Sequence, residues 1–355
     1  DELRGFRRQD SSRHINESID TEVVDTLRQV VSKNFKLAHD FYRFKSQLIG
    51  QKKFRYNERN LQYGKISREY SYPEAVAITQ KAFSRIDTSF VDIFNSFVEG
   101  GFVDVEPQKG KRGGAFCISE GIENPVYIML NFTKKARDIS TLAHEAGHGV
   151  HAVFSKVENE LNYHVPMCTA EVASTFCEDF VFDELLETAN DEERLVMMTE
   201  KLGDKMQTIF RQIAAYNFEF EVHTEFRKKG YLSKEDIGSL FNKHMKSYLG
   251  PSFEFDDHSQ AGWVYWHHFR SPFYVYSYAM GLLAAQAMQA EFRKNPEFIK
   301  SIKEFYSTGS SLAPVDIFKK MGMDIRKPEF WKTGINEIKD LLKETKKLAK
   351  KLEKI

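Results

Sequence analysis

Apolar residues recur at intervals of three and four through most of the chain, and that period predicts a mainly α-helical protein. Val23, Val24, Leu27, Val30, Val31, Phe35 and Leu37 form one such stripe over 19–50, with Asp20 or Thr21 placed to cap its start and Gly50 to end it. Residues 51–71 are polar and irregular. Ser71 then reads as an N-cap with Pro73 in the first turn, which predicts helices over 73–86 and 88–98. Beyond Gly100-Gly101 the period changes, and 102–105, 115–119 and 127–132 read as short strands between Gly- and Pro-containing loops. Helical spacing returns over 138–156 and 169–187. It continues from Asn190-Asp191 to Lys229, where Gly230 ends it, and again from Ser233 to about 248. Gly250-Pro251 opens a loop rich in Asp and Phe, which leads into an aromatic stretch over 262–281. Small residues Gly281, Ala284, Ala285 and Ala287 allow close helix packing after it. Pro314 starts a short helix, and Phe330, Ile335, Ile338, Leu341, Leu342, Leu348 and Leu352 stripe a Lys-rich final helix.

Length and charge narrow the possibilities. The 355 residues suit one large domain, taken here as 1–355, and 41% hydrophobic residues can supply its core. The 51 basic and 51 acidic side chains balance, which argues against a nucleic-acid or anionic-membrane partner. The 30 Phe residues read chiefly as core filling. Cys117, Cys168 and Cys177 are odd in number and lack CxxC spacing, so disulfides and cysteine-metal sites are not expected and a reducing, cytoplasmic compartment is. No apolar run approaches the roughly 18–20 residues that span a bilayer. The first residues, Asp-Glu-Leu-Arg, are no signal peptide and lack a starting Met, so a fragment or processed form is expected. The basic loop 107–114 lacks the spacing of a phosphate-binding loop.

The candidate chemistry is concentrated in 141–151, which contains His144-Glu145-Ala146-Gly147-His148. Four residues apart on a helix, His144 and His148 share a face and can supply two ligands to one Zn²⁺. Glu145 beside them can take a proton from a water acidified by the metal. A third ligand is available in 169–180, where Glu171 completes a His₂Glu set. Glu178, seven residues on, shares its face and can accept the free N–H of a ligand histidine.

These segments resemble the oligoendopeptidase F branch of the thimet oligopeptidase family of zinc metallopeptidases. The likeness is carried by Leu142-Ala143-His144-Glu145-Ala146-Gly147-His148 through His151 and by Ala170-Glu171-Val172-Ala173-Ser174-Thr175-Phe176-x-Glu178. It implies zinc ligands His144, His148 and Glu171, one zinc per chain, and Glu145 as general base. Lys109 to Phe116 also resembles the family, which places a small antiparallel sheet beside its zinc helix; an edge strand there can pair with an extended peptide. In 262–281 the family pattern of a His-Phe pair before a Tyr-rich helix matches His268-Phe269. It implies oxyanion donors His268 and one of Tyr276, Tyr274 and Tyr278, with Tyr276 preferred. The implied fold is mainly α and zincin-like, with the site deep in a channel, and lacking an N-terminal region that full-length relatives carry. The implied activity is endopeptidase cleavage of short peptides. A related zinc carboxypeptidase, with Arg112 or Arg270 binding the substrate carboxylate, and a non-catalytic peptide-binding fragment are the alternatives. Oligomeric state is left open.

Overall fold

The computed structural model of the chain describes residues 2–355 and is dominated by helices. Among the described residues the strands are short: β1 (Phe54–Arg55), β2 (Val103–Asp104), β3 (Phe116–Ile118), β4 (Tyr127–Met129) and β5 (Phe253–Glu254). The chain divides into two compact units, one formed by residues up to 65, 191–283 and 325–355, the other by 66–190 and 284–324. No described helix is long and apolar enough to cross a membrane.

In the first unit the stripe expected over 19–50 forms two helices, Thr21–Lys33 and Phe35–Ile49. Their junction is Asn34, whose side-chain amide donates to the Val30 carbonyl, while the apolar stripe runs through the break without interruption. Gly50 ends the second helix in the left-handed conformation, at φ 73°, that its lack of Cβ permits. The segment expected to be irregular contains β1, which pairs in parallel with β5. Two helices, Asp191–Lys205 and Gln212–Lys229, are joined by a wider π-helical turn, Met206–Arg211. Helix Lys234–Leu249 starts at the expected Ser233, whose hydroxyl accepts from the Asp236 N–H while the Asp236 carboxylate accepts from the Ser233 N–H. The final helix, Pro328–Lys351, buries Phe330, Trp331, Ile335 and Ile338 along one stripe.

The second unit begins with the capped helix Tyr72–Ser84, where Ser71 and Glu74 bond reciprocally. Strands β2, β4 and β3 make a three-stranded sheet in that order. β3 and β4 are antiparallel, as expected, but β2 joins β4 in parallel, so the sheet is mixed. β3 lies at its edge and packs on the helix Ala136–Ser155. That helix starts where Asp138 accepts from the backbone N–H groups of Thr133 and Lys135. It packs on Met167–Thr188. The contact is close because of Gly147: a Cβ there would stand 2.8 Å from the Ser174 Cα, which no side chain could yield to.

Candidate metal centre and a histidine–tyrosine cluster

The helices Ala136–Ser155 and Met167–Thr188 are buried over most of their circumference. His144, His148, Glu171 and Glu178 are exceptions, half-buried positions among buried neighbours. Exposure is 26% for the His144 side chain and 23% for Glu171, so a small ion can reach groups that the helices otherwise hold rigid. One donor atom from each of His144, His148 and Glu171 lies within 4.8 Å of the others. His144 Nε2 is 3.5 Å from Glu171 Oε2, while His144 Nδ1 is 3.3 Å from Glu178 Oε2. The imidazole thus has one nitrogen on an orienting carboxylate and the other toward the remaining donors.

The charges of this cluster are strongly coupled. Burial disfavours the charged form of His144, but the Glu178 hydrogen bond and the charges of Glu178, Glu171 and Glu145 outweigh it and raise the ring to about 9. Burial holds His148 well below the ordinary histidine range, helped by His144 and His151. Burial pushes Glu145 up; His144 opposes this and Glu171 adds to it. Glu145 also accepts the backbone N–H of Cys117, so the edge strand β3 helps hold the carboxylate. His151 is not among the converging donors; it is buried against Phe305 and Tyr306, and burial alone lowers it to about 4.

The first unit carries the second set of expected residues. His268 lies in a 3₁₀ turn, His267–Arg270, and is partly buried while His267 is exposed. His268 Nε2 is 3.0 Å from the Tyr278 hydroxyl, and the Tyr274 hydroxyl donates to Tyr278 over 3.2 Å. Tyr274 stacks on His268 with ring centroids 5.6 Å apart. Tyr276, the preferred tyrosine in the sequence, is instead fully buried, its ring edge-on to His14 and Tyr216. Two residues from Tyr278 on the helix Tyr276–Lys294, its side chain turns about 200° away, which places it in the core. Arg270 donates to the backbone carbonyls of Val264 and Trp266, and the Arg112 guanidinium lies over the Phe116 ring. Trp266, not singled out in the sequence, donates its indole N–H to His268 Nδ1 over 3.1 Å. Cys117, Cys168 and Cys177 are thiols outside any disulfide, and the Cys177 Sγ lies 3.5 Å from the Tyr306 hydroxyl.

A model of peptidase family M3 matches residues 2–337. An oligoendopeptidase F homolog of Borreliella burgdorferi is 30% identical over 97% of this chain and 59% of its own length. A crystal structure from Chlamydophila abortus superposes with a TM-score of 0.88 at 27% identity, covering 97% of this chain and 58% of that one. The oligoendopeptidase-F of Enterococcus faecium shares the fold, with a TM-score of 0.74 at 23% identity, over 99% of this chain and 57% of that one. The chain therefore spans a little under three-fifths of the length of these relatives.

Proposed function

This chain belongs to peptidase family M3, a metallopeptidase family, and from that premise we propose that it hydrolyses peptide bonds within short peptides at a zinc site held by His144, His148 and Glu171. The observation that carries this reading is the convergence of the three donors from two helices locked together at Gly147. The His144–Glu171 pair is spaced for the metal. Zinc bonds of about 2.0–2.2 Å at tetrahedral angles place ligand atoms roughly 3.4 Å apart, and His144 Nε2 and Glu171 Oε2 are 3.5 Å apart. Two histidines and one carboxylate also form a set that leaves a position for water.

Zinc, when bound, supplies a more acidic water and a charge that polarises the scissile carbonyl. Glu145, held by the Cys117 N–H, takes the proton of the attacking water on its carboxylate and returns it to the leaving amine. Glu178 keeps His144 oriented through Nδ1. The edge strand β3 offers backbone groups to which an extended peptide can add as a further strand. For His268 the family resemblance supports donation to the carbonyl oxygen as it gains charge, with Tyr278 and Tyr274 as its hydroxyl partners. Tyr276 is left to the core. Residues 1–355 acting as one catalytic domain, one zinc per chain and a cytoplasmic location belong to the same reading, the last supported by three cysteines that stand as thiols.

Cleavage of an internally quenched peptide blocked at its C-terminus tests the activity. Zinc-dependent, chelator-sensitive internal cleavage is expected. No cleavage by zinc-loaded protein would leave a peptide-binding role, and cleavage only of unblocked peptides would make it a carboxypeptidase.

A further inference from the structure

Trp266 is 5% exposed, and its indole Nε1 stands 3.1 Å from His268 Nδ1. An indole N–H can only donate. His268 Nδ1 must therefore carry a lone pair, and in a neutral imidazole the proton then sits on Nε2. That atom is 3.0 Å from the Tyr278 oxygen, so His268 donates to Tyr278. The other tautomer would set one N–H against another at Nδ1 and leave Nε2 without a proton to give. An imidazolium would suffer the same opposition at Nδ1.

The indole is itself held. The Arg211 guanidinium lies over the Trp266 ring, 3.8 Å from its centroid, and Phe269 packs against the ring at 5.0 Å. A cation on the indole face withdraws electron density and makes the N–H a stronger donor. Arg211 closes the π-helical turn Met206–Arg211, the one departure from α geometry in an otherwise continuous helical run to Lys229; such turns often mark functional positions. Arg270 fixes the backbone of the same segment through the Val264 and Trp266 carbonyls. Burial, then His267, then Arg211, disfavours charge on His268, in keeping with a neutral ring.

We infer that Trp266 is a positioning residue that locks His268 in the tautomer protonated on Nε2, with Arg211 holding the indole for that purpose. The chain of donation then runs one way, from Trp266 through His268 to the Tyr278 oxygen, which also accepts from Tyr274. Bonds aligned in this way reinforce one another. The tautomer follows from the geometry alone; its effect on turnover rests on the donor role proposed for His268, in which the Nε2 proton turns from the Tyr278 oxygen to the substrate carbonyl oxygen as that oxygen gains charge.

The test replaces Trp266 with benzothienylalanine, which keeps the ring shape but puts sulfur where the N–H stood. Long-range ¹H–¹⁵N spectra of the histidine-labelled 355-residue chain read the tautomer, with His268 assigned by signal loss in His268→Ala. In the wild type, Nδ1 is expected bare and Nε2 protonated. In the variant the two tautomers should mix, kcat should fall by about 2- to 10-fold, the worth of one neutral hydrogen bond, and KM should hold. The loss should vanish in the His268→Ala background. Arg211→Gln should shift the tautomer in the same direction, by less. A wild-type Nδ1 proton, or an unchanged tautomer in the benzothienyl variant, overturns the lock. A shifted tautomer with unchanged turnover upholds the lock and removes His268 from the chemistry.

Discussion

The two polar clusters are built in opposite ways. The donors of the candidate metal centre and the carboxylate that orients His144 stand on regular helices, His144 and His148 four residues apart in one, Glu171 and Glu178 seven apart in the other, and helix packing fixes them. The His268 cluster stands on irregular chain. A 3₁₀ turn carries His268, and Phe273, just before Tyr274, has φ 59°, a left-handed backbone that a bulky residue rarely adopts. Individual bonds from distant sequence hold that segment: Glu219 accepts the Phe273 N–H over 2.9 Å, and Arg13 donates to the Pro272 carbonyl and the Ser271 hydroxyl, each over 3.0 Å. A centre built on packing should fail through changes of volume at the helix contact. A centre built on single bonds should fail through loss of single polar atoms.

The largest effect is expected at Glu145. Glu145→Gln keeps the shape but cannot accept a proton at neutral pH, so turnover should fall by roughly 10²–10⁴-fold with metal content unchanged. Near-wild-type turnover would remove Glu145 from the mechanism. Next, His268→Ala should lower kcat by about 10²–10³-fold, as for loss of one oxyanion donor, with KM nearly constant. The exposed neighbour serves as control: His267→Ala should be nearly neutral, and the reverse pattern would shift the assignment by one residue.

Gly147→Ala sharpens the contrast on the packing side. Its Cβ would meet Ser174 backbone at 2.8 Å, so the helices must separate. A cost of about 1–3 kcal/mol is expected, as for other overpacked sites, read as a lower Tm together with weaker metal retention. Unchanged Tm would mean that the contact is looser than it looks.

The last effect is electrostatic. Burial pushes the Glu219 carboxyl up to about 8, against the Phe273 N–H and the Arg13 charge. The folded chain then keeps a proton that the unfolded chain releases near 4.3. Stability therefore falls as pH rises through that window and levels off above about 8. Glu219→Gln retains a carbonyl for the Phe273 N–H and cannot ionise. Its Tm relative to wild type should rise between pH 5 and pH 8.5; equal pH slopes would place Glu219 in a wetter site.

The same contrast explains what could be read in advance. His144, His148, Glu171 and Glu178 were legible because helical period puts them on shared faces, and the helices lie within a few residues of their expected bounds. The break at Asn34 was hidden because the apolar stripe runs through it. The β1–β5 pair, two residues to a strand, leaves no period to detect. Among the tyrosines, Tyr274 precedes the helix that carries Tyr276 and Tyr278, so no single period sorts the three. The Arg211–Trp266 stack joins segments far apart in sequence, and nothing in residue order announces it.

Metal analysis of the purified wild type and of Glu171→Ala bears most directly on the His144–His148–Glu171 centre. The wild type is expected to carry about one zinc per chain, as a single His₂Glu site requires, and the variant far less, with the fold retained. Equal zinc in both proteins would take Glu171 out of the ligand set. Peptide turnover that persists in metal-free protein would contradict the centre itself.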